Sequence, residues 1–145
     1  MFPERAPDVQ KEGSWPLELR VLIVDDSETT RRLLRAIIGS RQWSVCGEAE
    51  NGLDGVERYK DLKPDLVVID LSLPDINGFE VAKRMSTLNH AVPLVLFTVL
   101  DVEGLEAAAC RAGICQVVSK AQVWDLIRSI ENAVTQYRGP QAANA

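Results

Sequence analysis

Leu19-Arg-Val-Leu-Ile-Val24, followed at once by Asp25-Asp26-Ser27, is the stretch that decides how this chain folds. Six residues rich in branched aliphatics, apolar on both sides, predict a strand buried on both faces, which belongs in a parallel sheet covered by helices. Ser27 can cap a helix, and Leu33, Leu34, Ile37 and Ile38 keep a 3.6-residue period up to Gly39. The unit is therefore strand, acidic turn, helix.

The same unit repeats outward from there. Trp43 to Ala49 predicts a second strand, and Leu53 to about Leu62 a second helix ended by Lys63-Pro64. Leu66 to Ile69 is a third strand. A loop holding Pro74 and Gly78 leads to a helix from Phe79 to Leu88, with Val81, Met85 and Leu88 on one stripe. Pro93 opens a fourth strand, Leu94 to Phe97. Asp101 is positioned to cap an alanine-rich helix that Gly113 stops near Ala112, and Ile114 to Val118 is a fifth strand. Val123, Leu126, Ile127, Ile130 and Val134 mark the last helix. The pattern implies an α/β fold with a doubly wound, five-stranded parallel sheet. Residues 1–18, polar and holding Pro3, Pro7, Gly13 and Pro16, read as an irregular N-terminal extension, residues 19–138 as the domain, and 139–145 as a C-terminal tail.

A chain of 145 residues with 46% hydrophobic content suits one core. Residues 1–11 lack the apolar stretch of a secretory signal. The longest apolar run, Ala91 to Leu100, is far short of the ~20 residues a membrane helix needs. A soluble cytoplasmic protein with no membrane partner is expected. Sixteen basic against twenty-one acidic residues give a net charge of −5, which argues against direct nucleic-acid binding. Cys46, Cys110 and Cys115 have neither paired spacing nor a CxxC motif and are expected to be buried, reduced thiols.

In an open parallel sheet, ligands bind beyond the carboxyl ends of the strands. Asp25 and Asp26 follow the first strand, Asp70 ends the third, Thr98 ends the fourth, and Lys120 lies just past the fifth. Taken singly, each has an ordinary structural explanation: a capping turn, a loop acid, a strand residue, a solvated charge. Together they place three carboxylates at one edge, where without a cation they repel and raise one another's pKa values. Oxygen-only ligands on a shallow edge suit magnesium, or manganese as a substitute. Such an ion, with a fixed ammonium and a hydroxyl donor, is the equipment of phosphoryl transfer, with Asp70 as a carboxylate nucleophile.

Val-Asp25-Asp26-Ser, Ile-Asp70-Leu-Ser-Leu-Pro74-Asp-Ile-Asn-Gly78, Phe-Thr98 and Val-Ser-Lys120 together resemble the receiver domains of two-component response regulators, over roughly Leu19 to Gln136. The resemblance implies a flavodoxin-like fold of strand order 2-1-3-4-5. It implies a phosphorylation-dependent switch whose Asp70 accepts a phosphoryl group from a histidine kinase or phosphotransfer protein. By the same analogy Asp26, Asp70 and the backbone carbonyl of Ser72 bind magnesium directly, Asp25 acts through water, and Thr98 and Lys120 contact the phosphoryl oxygens. The downstream partner would be a protein target or a second copy of the chain. Such a domain assists its own modification rather than turning over as an enzyme.

Pro74 and Gly78 shape the loop after the acceptor, Gly78 as a turn position needing positive φ. The chain also departs from the family pattern. Ala121 replaces the proline that usually follows the lysine, Val117 replaces an aromatic that swings on activation, and Val99 stands where a small residue is usual. These departures sustain an alternative, a phosphorylation-independent binding module. A metal-dependent phosphatase resembling the haloacid dehalogenases ranks lower, since Ser72 stands where those enzymes carry a second acid. His90, in a polar turn, is read as solvated rather than as a phosphodonor. Arg31, Arg32 and Arg35 are read as an outward charged face, with a kinase-docking role implied by the resemblance. Trp124 and Tyr137 are read as either partly exposed or partly buried against the sheet, with an exposed Trp124 offering an anchor for a partner or a second copy. With no room for an output domain the chain reads as a stand-alone receiver, although Gly47-Glu-Ala-Glu-Asn-Gly52 resembles receivers joined to DNA-binding domains.

Overall fold

The computed structural model describes residues 18–144, with side chains through Gln136. Residues 1–17, Ala145 and the Tyr137 side chain, on which the extension, part of the tail and one exposure expectation fall, lie outside the described set. Five strands, β1 (Arg20–Val24), β2 (Ser44–Ala49), β3 (Leu66–Ile69), β4 (Leu94–Thr98) and β5 (Gln116–Ser119), form one sheet in the order β2-β1-β3-β4-β5. Every pairing in it is parallel. Between them run α1 (Glu28–Gly39), α2 (Gly52–Leu62), α3 (Gly78–Leu88) and α4 (Glu106–Arg111), and α5 (Leu126–Asn144) follows β5. The expected flavodoxin-like order is thus realised.

Alternate residues of each strand feed two cores. Leu22, Val24, Val67, Ile69, Leu94 and Leu96 pack on one face against Val56 and Tyr59 of α2 and Val81, Ala82 and Met85 of α3. Val21, Ile23, Val68, Val95 and Phe97 pack on the other against Leu34 and Ile38 of α1 and Leu126, Ile130 and Val134 of α5. Burial on both faces is why the strands read as unbroken apolar runs. The helices begin where capping side chains stand: Ser27 accepts from the Thr30 N–H at 3.2 Å, Asn51 from Asp54 at 2.8 Å, and Asn77 from Glu80 at 2.9 Å. Each such cap contributes about 1 kcal/mol.

Several expectations are corrected. The α4 helix begins at Glu106 instead of Asp101, because Gly104 takes a φ of 96°, a left-handed conformation that breaks the helical path. Asp101 caps only a turn, accepting from the Glu103 N–H. β5 starts at Gln116 instead of Ile114, whose N–H closes the end of α4 on the Ala109 carbonyl. A 3₁₀ segment, Lys120–Asp125, holds Val123 and is interrupted within by non-helical Gln122, and α5 follows it directly at Leu126. The α5 backbone continues through Asn144, across most of the stretch set apart as a tail. Leu33 and Leu88 are half exposed, so the buried stripes are narrower than expected. Cys110 is exposed and Cys46 and Cys115 only partly buried, and all three thiols are free. Burial pushes the Cys115 thiol up to about 11.

Gly78 does not have a positive φ; those glycines are Gly104 and Gly113. Its constraint is steric. A Cβ on Gly78 would collide with the Asp70 carbonyl oxygen and come within 2.9 Å of Leu71 Cα, both backbone atoms. Gly39, by contrast, has nothing within 4 Å of the same position. Gly78→Ala is therefore expected to lower stability by about 1–3 kcal/mol, as forced overpacking does. Gly39→Ala should raise it by up to about 1 kcal/mol, the helix-propensity difference. Urea unfolding of the two variants checks both; equal effects would refute the steric explanation.

Candidate functional site at the carboxyl edge of the sheet

Register brings the site together. Val24 of β1 pairs with Ile69 of β3, so the residues that follow, Asp25 and Asp70, leave the sheet side by side. Thr98 of β4 pairs with Ser119 of β5, so Lys120 emerges next to the Thr98 end. Carboxylate oxygens of Asp25, Asp26 and Asp70 lie within 4.8 Å of one another. Asp25 and Asp70 are buried, whereas Asp26 is exposed.

Lys120 Nζ bridges the two buried acids, 2.9 Å from Asp25 Oδ2 and 3.4 Å from Asp70 Oδ2. It also lies 5.9 Å from the centroid of the Phe97 ring. The other Asp25 oxygen accepts from the Ser27 N–H at 2.9 Å. Burial, then the neighbouring Asp25 charge, raise the Asp70 pKa above the ordinary carboxylate value; Lys120 and the Ser72 N–H oppose this without cancelling it. One ammonium thus compensates two buried acids incompletely, and Asp26 adds a third carboxylate on the open side. That donor set, all oxygen and with an excess of negative charge, fits a hard divalent cation such as magnesium.

The Thr98 side chain is buried, and its hydroxyl oxygen accepts from the Leu100 N–H at 3.2 Å. It makes no hydrogen bond to Asp70 in this conformation, but accepting leaves its own proton free to donate. Ser72 is exposed two residues past Asp70. Val99 is 71% exposed. Val117 is partly buried, and no cis peptide occurs among the described residues, consistent with Ala121 in place of proline. His90 is exposed, as expected, and Trp124 is 72% exposed.

Two contributors escaped the sequence analysis. Asp75 ties the loop after Asp70 to the start of α2, accepting from the N–H groups of Gly52 at 2.7 Å, Leu53 at 2.9 Å and Ile76 at 2.7 Å. Burial opposes the ionised form, yet these donors hold its pKa below the ordinary value. Gly52 and Leu53 lie far from Asp75 in sequence, so no local signal exposes this tie. Arg31, expected on the outward face with Arg32 and Arg35, is 7% exposed. It shares the buried stripe of α1 with Leu34 and Ile38, three and seven residues on, and that spacing was the available signal.

Comparison with known proteins agrees with this geometry. Residues 21–131 match the model of the response regulator receiver domain. The chain is 36% identical over 94 residues to the chemotaxis protein CheY of Thermotoga maritima, covering 65% of this chain and 78% of that protein. It is 38% identical over 91 residues to the protein-glutamate methylesterase/protein-glutamine glutaminase of Pyrococcus abyssi, covering 62% of this chain but only 24% of that enzyme. The solved response regulator domain of Thermotoga maritima CheB is similar at a TM-score of 0.75 and 30% identity, over 81% of this chain and 96% of that one. Among the described residues no helix is long and apolar enough to cross a membrane. With the acidic edge, the strand order and the family match in agreement, the chain belongs to the response regulator receiver domain family.

Proposed function

We propose that this chain is a phosphorylation-dependent switch in which Asp70 accepts a phosphoryl group from the phosphohistidine of a histidine kinase or phosphotransfer protein. The observation that carries this is the convergence of the Asp25, Asp26 and Asp70 carboxylates within 4.8 Å of one another, with Lys120 Nζ against two of them. A crowded set of acids is unfavourable in a resting fold and useful where a cation and a phosphoryl group are to be received.

Asp26, Asp70 and the Ser72 carbonyl would hold magnesium directly, and Asp25 through water. When bound there, magnesium would supply positive charge that offsets the acids and the negative charge of the incoming phosphoryl group. An Asp70 carboxylate oxygen attacks phosphorus, forming a new P–O bond. The bond from phosphorus to the donor's imidazole nitrogen breaks, and its electron pair leaves on that nitrogen. Lys120, already at Asp70, pairs with one phosphoryl oxygen, and Thr98 donates its free hydroxyl proton to another. Drawing Thr98 inward would move the end of β4 and the segment leading to α4. Val117 brings no aromatic ring to that movement, so the readout rests on the loop and on whichever protein, a target or a second copy, meets the exposed Trp124.

Incubation with acetyl phosphate and magnesium is expected to add one phosphate to the wild type by intact mass, labile to base, abolished by chelation and absent in Asp70→Asn. Equal modification of both proteins refutes Asp70 as acceptor. A wild type that binds magnesium and takes no phosphate supports the binding-module alternative instead.

Asp25 has both oxygens engaged, by Ser27 and Lys120, while Asp26 is open. Calorimetric titration should therefore find magnesium affinity weakened more than about tenfold in Asp26→Ala and less in Asp25→Ala. Comparable losses would reject the division between a direct and a water-mediated ligand.

A further inference from the structure

We propose that Arg31 is a positioning residue for the acidic site: from inside α1 its guanidinium holds the backbone carbonyl of Asp25 and thereby sets the direction in which Asp26 faces the metal. The proposal rests on the phosphoacceptor function argued above, and deepens it.

Every polar atom of Asp25 is fixed. Its N–H donates to the Ala49 carbonyl of β2 at 3.0 Å, and its two carboxylate oxygens accept from the Ser27 N–H and Lys120 Nζ, both at 2.9 Å. Its carbonyl oxygen accepts from Arg31 Nη1 at 2.7 Å, a buried hydrogen bond between residues six apart in sequence. That carbonyl is half of the peptide plane joining Asp25 to Asp26, and the plane's orientation determines where Asp26 leaves the backbone. Arg31 is thus hydrogen-bonded to the peptide group that joins the buried, lysine-paired acid to the open one.

The guanidinium is itself held from the far side. Arg31 Nη2 lies 2.6 Å from Glu28 Oε1 and Nε lies 3.0 Å from Glu48 Oε1, with Glu50 at 3.9 Å. Arg35 meets the same two acids, Glu48 at 2.6 Å and Glu28 at 3.1 Å, and has no hydrogen bond or ion pair with Asp25. A planar fork with five donors can serve Glu28, Glu48 and a carbonyl at once, which a lysine ammonium on a flexible stem does less rigidly. The buried charge is therefore compensated by acids of α1 and β2 while one Nη remains directed at Asp25. A purely structural ion pair has no need of that third contact, and Arg35 is the natural control: the same residue type, on the same helix, in the same acidic network, without it.

The test compares Arg31→Met with Arg35→Met by thermal unfolding, magnesium titration and the Asp26 amide resonance in metal-free protein. Arg31→Met is expected to raise the magnesium dissociation constant about tenfold, the lower end of the range for losing an outer partner of a metal site. Its acetyl phosphate labelling rate should return to within about twofold of wild type at saturating magnesium, since Asp70, Thr98 and Lys120 are untouched. The Asp26 amide should move. Arg35→Met should lose stability yet leave magnesium affinity and the Asp26 resonance near wild type. Arg31→Lys, which keeps the charge but loses the fork, should recover only part of the affinity, and it carries the test if Arg31→Met does not fold: wild-type magnesium affinity with an unmoved Asp26 amide in Arg31→Lys would overturn the proposal. Equal losses of magnesium affinity in the Arg31 and Arg35 variants, or an unchanged affinity in a folded Arg31→Met, would overturn the proposal. If the wild type binds no magnesium, the functional assignment fails separately. The Asp26 amide then decides the positioning role, and its failure to move in Arg31→Met overturns that role.

Discussion

Three carboxylates meet at the end of a buried parallel sheet, and the described structure sets a single ammonium against the two that are buried. The geometry follows from strand register, because Val24 and Ile69 are paired neighbours and each is followed by an aspartate. It is electrostatically unfavourable in the absence of a further cation. Burial and Asp25 raise the Asp70 pKa, so the folded state holds that proton more tightly than the unfolded chain does. The group therefore favours the fold at low pH and opposes it once the pH has risen through the shifted value. Once that proton is lost, the metal-free domain carries a destabilising charge at this edge, and the rest of the fold must hold the edge in place.

Much of the surrounding structure does so. Gly78 lets the backbone of α3 press against the Asp70 carbonyl, and the Gly78 N–H donates to Leu71 at 2.8 Å. Asp75 fastens the intervening loop to the start of α2 through two N–H groups, those of Gly52 and Leu53. Ser27 both caps α1 and donates its N–H to Asp25, so the helix start and the acid are positioned by one residue. The β4 side is looser: the loop after Thr98 leads through a left-handed Gly104 to a six-residue α4 with no side-chain cap. The acidic side is thus fixed by several hydrogen bonds, whereas the approach to α4 has no side-chain cap.

The strands and long helices were legible in the sequence because their signals are local: unbroken branched runs, a 3.6-residue period, and Ser27 before its helix. Asp25, Asp26, Asp70, Thr98 and Lys120 were legible because parallel strands deliver their carboxyl ends to one edge. What was missed depends on through-space partners or on single backbone torsions. Gly104 shortens α4 by one residue's φ, Ile114 gives its N–H to the end of a helix instead of a strand, and Asp75 finds its donors on another element. Arg31 was misplaced because a cation on a helix is ordinarily solvated, a prior that a stripe shared with Leu34 and Ile38 overrides.

Thermal unfolding of the wild type and Asp70→Asn with and without magnesium tests whether the crowded acids at this edge oppose the fold in the absence of a divalent cation. Without metal, Asp70→Asn should be the more stable, since it removes one buried charge and keeps the shape. Magnesium at a hundredfold its dissociation constant should stabilise the wild type by about 2.7 kcal/mol, and Asp70→Asn by much less at the same concentration. An Asp70→Asn protein that is less stable than wild type without metal, or that gains as much from magnesium, would contradict the account.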